Sequence, residues 1–382
     1  MRAIADIRAF ANGGEAVGTL EDGKTVFVRG AAPGERVELE IFQDKKRYAR
    51  GRLLKVITCS GRRVESDCGN FPACPGCSYR HVDYELELEW KQKQLEYLLR
   101  DFPQLQYSAP EGSSSRCGWR NKLTLHCENG KCGYRGDDNT TLIPITHCPM
   151  AKTEINTAIN QISASDAGSV TLRYTKHDQV AILRRGKSDS RILTEDLGKF
   201  GTFKVRADGF FQTNSEIAEK LLSEVVSELE NTHHKTLIEL YCGVGIFSIS
   251  CAAKIPQLQV KAVELDKGAI RLGKRNSMEH GVSERCEFYS GDAGEFFGKM
   301  IPQLTAGYTL LVDPPRTGMD KTMLDGILRA LPDKILYVSC GADTLVRDVK
   351  VLSDKYVLER VKLFDMFPGT GHFETLAVLH TK

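Results

Sequence analysis

No stretch of the sequence approaches the run of about 18 apolar residues that a membrane-spanning helix needs. The first residues, Met1-Arg2-Ala3-Ile4-Ala5-Asp6, have no apolar core of the secretory type, so the expected compartment is the cytoplasm. A charge excess is missing too. The net charge of +2 excludes a polycation and confines any affinity for nucleic acid to local patches. There is no internal repeat and no low-complexity segment. Cysteine, by contrast, is abundant. Twelve of them in a reducing compartment are expected as ligands, nucleophiles or small packing residues rather than as disulfides.

The 382 residues suffice for two or three domains, each with its own core. Within 1–58, Val17-Gly18-Thr19-Leu20, Thr25-Val26-Phe27-Val28 and the alternating Val37-Glu38-Leu39-Glu40-Ile41 are separated by glycine-bearing turns. Short strands with regular turns predict a small β-barrel. Lys45, Lys46, Arg47, Arg50 and Arg52 surround Tyr48, with Arg62 and Arg63 further on. Such a cluster suits either a solvated edge strand or a phosphate backbone beside a stacked base. Val82 to Arg100 has the spacing of an amphipathic helix, and residues 112–205 read as glycine-punctuated strands. From about residue 206 strands alternate with helices, the pattern of a doubly wound α/β domain. The expected organisation is an OB-like barrel over 1–58, a mostly-β middle domain over 59–205 and a Rossmann-like domain over 206–382.

Thr236-Leu237-Ile238-Glu239-Leu240 predicts a short apolar strand, followed by Tyr241-Cys242-Gly243-Val244-Gly245 and a helix from Ile246. Gly243 and Gly245 at such a turn let the backbone approach a ligand closely. Glu264 ends the next strand, where folds of this kind bind ribose hydroxyls. Ser290-Gly291-Asp292-Ala293 adds a polar loop suited to an adenine. A dinucleotide needs a third glycine for its pyrophosphate, and Ser248 or Ile249 stands there. S-adenosylmethionine, which has no pyrophosphate, fits better.

Two further strands end in reactive side chains. Tyr308-Thr309-Leu310-Leu311-Val312 leads into Asp313-Pro314-Pro315-Arg316, and Ile335-Leu336-Tyr337-Val338 into Ser339-Cys340-Gly341. At the carboxyl ends of sheet strands these residues face a ligand crevice. A cysteine there is also a common packing residue, so position alone leaves its role open. Glu374 starts the last apolar strand, where burial would make it a proton acceptor. One reaction uses all of them. A thiolate that adds to carbon 6 of uracil makes carbon 5 a nucleophile towards a sulfonium methyl, and a base then removes the carbon 5 proton.

Tyr241 to Gly245, Asp313-Pro314-Pro315-Arg316, Ser339-Cys340, His372-Phe373-Glu374-Thr375 and Gly209-Phe210-Phe211-Gln212-Thr213-Asn214 resemble the motifs of the RNA uracil-5-methyltransferases. The resemblance spans essentially the whole chain. It implies a TRAM domain over 1–58 and a nucleophilic Cys340. It also implies Glu374 as base, and Gln212, Tyr241, Glu264 and Asp313 around cofactor and uracil. By the same resemblance the helix near 82–105 packs on the catalytic domain. Structured RNA is the expected partner, with Lys45 to Arg52 and Arg120 to Lys122 as candidate contacts. Large-subunit ribosomal RNA is favoured over transfer RNA, and a monomer needs no extra interface. Cytosine-5 enzymes place a cysteine in the proline motif, and amino-group methyltransferases an aromatic residue where Arg316 stands. A non-catalytic RNA-binding relative would not need Cys340 and Glu374 together.

Cys68, Cys74 and Cys77 are spaced C-x5-C-x2-C, and Cys148 can complete four. Thiolates so spaced suit structural zinc or an iron–sulfur cluster. The family resemblance implies a 4Fe–4S cluster rather than zinc, with a structural or RNA-orienting role. The remaining cysteines are expected to be packing residues, with Cys132 the least firmly excluded as a ligand.

Overall fold

In the computed structural model, residues 1–162, 168–184, 186, 189–300 and 307–382 are described. Residues 163–167, 185, 187 and 188 of the strand-rich middle segment lie outside them. The chain forms two compact units. One comprises 1–94, 114–172 and 367–372, and the other comprises 95–113, 173–366 and 373–382. No helix among the described residues is long and apolar enough to cross a membrane.

The first unit opens with β1 (Arg2–Phe10), β2 (Ala16–Leu20), β3 (Thr25–Arg29), β4 (Arg36–Asp44) and β5 (Tyr48–Thr58), closed in the order β1-β2-β3-β5-β4. Alternate residues of β2 and β3 point inward, and Val26, Val28, Val37, Leu39 and Ala49 are fully buried. Tyr79, Val82 and Leu86 belong to the same core. Arg63 closes on the buried Glu35 at 2.5 Å, and His81 Nε2 reaches the carbonyl of Ala31 at 2.7 Å. The barrel therefore does not end as a separate body at residue 58.

Helix α1 (Tyr84–Leu98) departs from the expected amphipathic pattern, because its first half buries charge. Lys91 and Glu87, both fully buried, pair at 2.7 Å. Glu87 also accepts the Gly369 amide at 2.6 Å and forms an ion pair with the Arg116 guanidinium at 3.0 Å. Charges can be buried when they are paired in this way. From Leu95 the chain belongs to the second unit, where Leu95, Leu99 and Leu105 are core residues and β6 (Gln106–Tyr107) adds an edge strand. The chain then returns to the first unit for β7 (Lys122–Glu128), β8 (Lys131–Arg135), β9 (Leu142–Pro144) and α2 (Thr153–Ile159), and β10 (Gly168–Thr175) carries it out again. β7 and β8 form a hairpin that sets Cys127 directly opposite Cys132, and the two are disulfide-bonded. This corrects the expectation that both are packing thiols: cross-strand partners stand close enough to bond.

The second unit continues with β11 (Gln179–Arg184), β12 (Ile192–Asp196) paired with β13 (Thr202–Arg206), and α3 (Ser215–Glu230). The α/β alternation then runs through β14 (Thr236–Leu240), α4 (Ile246–Lys254), β15 (Gln259–Glu264), α5 (Lys267–Glu279), β16 (Cys286–Ser290), α6 (Ala293–Met300), β17 (Tyr308–Val312), α7 (Lys321–Ala330), β18 (Lys334–Ser339) and α8 (Ala342–Leu352). It closes with β19 (Tyr356–Phe364) and β20 (Glu374–Thr381). The sheet order is β16-β15-β14-β17-β18-β20-β19-β6, parallel from β16 to β18 and antiparallel at β20. β17 and β18 are buried throughout, as a sheet with helices on both faces requires. Strand order reverses at β14, the usual place for a ligand crevice.

Candidate active site

At the end of β14 the chain turns through Tyr241 (φ 66°), Gly243 (φ 55°) and Gly245 (φ 84°) before α4 begins. Gly245 has no room for a β-carbon, which would stand 2.7 Å from Phe288 Cε1. A β-carbon on Gly243 would meet nothing within 4 Å, so that side of the turn is open. Glu264, at the end of β15, braces the loop. One of its oxygens accepts the Gly243 amide at 3.1 Å and the other the Asp266 amide at 2.9 Å. Asp292 follows β16 and accepts the Glu295 amide at 3.0 Å, which starts α6. Gln212 is buried in the loop before α3, whose cap Asn214 donates to the Met366 carbonyl at 3.4 Å.

The sequence reading passed over Glu239, in the middle of β14. It is fully buried, and one oxygen accepts both the amide (2.8 Å) and the hydroxyl of Ser248 in the first turn of α4. Its other oxygen has no partner among the described residues, and burial pushes the carboxyl up to about 8. The residue ties strand to helix across the glycine turn. A carboxylate within an apolar strand was itself the available signal.

The register of β18 against β20 creates the reactive corner. Ser339 pairs with Thr375, so Cys340 and Glu374 occupy the next opposed positions, and Thr375 Oγ1 fastens the edge by donating to the Ser339 carbonyl at 3.2 Å. Asp313 follows β17, the parallel neighbour of β18. Burial is the main cause of the shifts here. It pushes Asp313 up to about 7, Cys340 up to about 11 and Glu374 well above the usual carboxylate range. Glu374 and Asp313 add to the rise at Cys340, and Asp313 adds to that at Glu374. The charge of Arg316 opposes both. Its loop is pinned by α8: Thr344 Oγ1 donates to the Arg316 carbonyl at 3.3 Å, and Arg347 to the carbonyls of Thr317 and Met319, each at 3.0 Å. Glu374 Oε2 is buried with no partner among the described residues.

In the first unit, Cys68, Cys74, Cys77 and Cys148 line one cavity with Tyr134 and Met150. Their backbones are held in place. Arg29 donates to the carbonyls of Cys74 (3.0 Å) and Cys77 (2.9 Å), and buried Asn156 exchanges hydrogen bonds with both backbone groups of Cys148. Among the described residues no three donors converge to hold a single metal ion. Cys132, bonded to Cys127, is not among the four. Of the basic residues, Arg62 and Arg63 are committed to Asp83 and Glu35. Arg50 and Arg52 line a cleft of about 1110 Å³ with Arg29 and Phe42.

A crevice at the carboxyl ends of parallel strands, with a glycine turn, a braced carboxylate and a thiol–acid corner, defines an α/β methyltransferase. Residues 193–296 and 303–382 match the model of the tRNA (Uracil-5-)-methyltransferase family, and residues 5–54 match the TRAM domain. The chain belongs to the RNA uracil-5-methyltransferase family. An uncharacterized RNA methyltransferase of Halalkalibacterium halodurans is 29% identical over 94% of this chain and 93% of its own. The 23S rRNA (uracil(1939)-C(5))-methyltransferase RlmD of Haemophilus influenzae is 28% identical over 94% and 92%. Among solved structures, the Pyrococcus abyssi tRNA (uracil-54, C5)-methyltransferase in complex with S-adenosyl-L-homocysteine superposes with a TM-score of 0.75, at 26% identity and 99% coverage of each chain.

Proposed function

We propose that the chain methylates carbon 5 of a uridine in structured RNA through a covalent adduct of Cys340 with carbon 6. The observation that carries this reading is the β18–β20 register, which opposes Cys340 and Glu374 beside Asp313. S-adenosylmethionine, when bound, supplies an electrophilic methyl group and a positive charge. Gln212, Tyr241, the open side of Gly243, Gly245, Glu264, Asp292 and Asp313 form its cradle and that of the base. Cys340 gives its proton to solvent as cationic charge, including that of Arg316, gathers at the corner, and its sulfur bonds to carbon 6 while the electron pair of the 5,6 double bond shifts toward carbon 5. Carbon 5 then takes the methyl group. Glu374 accepts the carbon 5 proton, the carbon–sulfur bond breaks, and the thiolate is restored. A carboxyl whose anion is penalised by burial holds a proton strongly, which suits that step.

Cys68, Cys74, Cys77 and Cys148 would hold a 4Fe–4S cluster, a rigid node for the loops around it. Zinc needs all four sulfurs within about 2.3 Å of one ion. A cluster takes one thiolate at each of four irons. The four cysteines that line one cavity would supply those four thiolates. RNA would follow the cleft with Arg50 and Arg52, with phosphates neutralised there and bases stacked on aromatic side chains. The favoured substrate is large-subunit ribosomal RNA, in keeping with RlmD, and transfer RNA is the second reading, in keeping with the Pyrococcus abyssi enzyme. Mapping 5-methyluridine in total RNA with and without the protein tests this. One ribosomal position should lose its methyl group when the protein is absent, and loss confined to transfer RNA would move the assignment there.

A further inference from the structure

The phenol of Tyr134 has no role in the reaction above. β8 places it in the wall of the cavity that Cys68, Cys74, Cys77 and Cys148 share. Its hydroxyl oxygen is buried and has no hydrogen-bond partner among the described residues. A phenol carries an O–H donor, and Cys74, Cys77 and Cys148 line the same cavity. A buried donor without an acceptor is costly, and native proteins rarely leave one unless something else accepts from it. Thiolate and sulfide sulfurs are acceptors of the right kind, and cysteine ligation would bring them to this cavity.

We propose that Tyr134 donates its hydroxyl hydrogen to a sulfur of the iron–sulfur cluster and so sets the cluster's potential and its resistance to oxygen. This rests on the reading that the four cysteines hold that cluster. Tyr134 is a positioning residue in this account and touches no reacting atom of the RNA. Hydrogen bonds to cluster sulfurs stabilise the more reduced, more negative state, so removing one lowers the midpoint potential and eases oxidative loss. The buried Arg80 is a second donor near Cys77: its terminal nitrogens reach Asp67 at 2.7 Å and the Arg116 carbonyl at 3.1 Å, and its Nε has no partner among the described residues. Tyr134 lines the cavity and Arg80 does not, so the phenol is the donor placed to meet the cavity's contents.

Tyr134→Phe keeps the ring and deletes the oxygen. Full-length wild type and variant, purified without oxygen, would be compared for iron and sulfide content, midpoint potential and bleaching rate in air. The expected result is equal iron and sulfide, a lower potential, and bleaching faster by about tenfold, the lower end of typical outer-shell effects. Equal potential and equal bleaching would overturn the proposal. If Tyr134→Phe fails to take up the cluster, the wild type in deuterated water decides. An exchangeable deuteron coupled to the reduced cluster supports the donor, and its absence overturns it. Cys148→Ser should lose iron and sulfide altogether. Wild-type protein that carries zinc in place of iron and sulfide would refute the cluster reading itself, whatever Tyr134 does.

Discussion

Glu239→Gln turns the burial of one carboxyl into a measurable pH dependence. Glu239 is fully buried, so solvent screening does not discount the effect. Its folded value is near 8, above the ordinary 4.5, so its stabilising contribution is complete below 4.5 and is lost as pH rises towards 8. At about 1.36 kcal/mol per pH unit, the whole interval is worth about 5 kcal/mol. Glutamine copies the neutral form: its carbonyl can accept from Ser248, and it cannot ionise. The variant's advantage over wild type should therefore grow by about 3 kcal/mol between pH 5 and pH 7.5. Urea unfolding of both proteins at several pH values, followed through the catalytic unit, would read this difference, and the other titrating groups cancel in it. Parallel stability profiles would refute the reasoning, because they would mean that Glu239 titrates like an exposed carboxyl.

Gly245→Ala should destabilise the catalytic unit by about 1–3 kcal/mol, since a β-carbon meets Phe288 and the positive φ disfavours a side chain; an unchanged Tm would contradict this. Glu264→Ala removes the acceptor that braces the cofactor turn at Gly243 and should raise the Kd for S-adenosylmethionine about tenfold by calorimetry. An unchanged Kd would show that the turn holds its shape alone. Glu374→Gln should accumulate a methylated covalent intermediate, visible by mass spectrometry of the trapped enzyme. In the wild type, product release from that intermediate should quicken with pH through a range above that of ordinary carboxylates, because only the ionised form accepts the proton. Normal turnover of the variant would remove Glu374 from the base role.

Much of the fold was legible in the sequence because the signals were local. Three of the five barrel strands showed as short runs broken by turns, and β14, β17 and β18 as apolar runs ending in polar corners. The opposition of Cys340 and Glu374 was not legible, since it depends on the register of two strands with β19 between them in the chain. The unit boundaries were hidden for a similar reason. Tyr79 and Val82 complete the barrel core from outside 1–58, and the chain changes unit within α1. Pairing also misled the residue-type rules. Glu87 and Lys91 lie in the helix expected to be amphipathic and are buried together, and Cys127 and Cys132 were expected as packing thiols and stand opposite each other in the hairpin. Glu239 was read as part of a strand, because nothing nearby in the sequence identified Ser248 as its partner.

The central claim is covalent catalysis by Cys340. RNA carrying 5-fluorouridine at the target position should trap wild-type protein, with S-adenosylmethionine present, as an adduct stable to denaturing gel electrophoresis, because fluorine cannot leave as a proton does. Cys340→Ala should yield no adduct while still binding the RNA. An adduct that persists in Cys340→Ala would contradict the account.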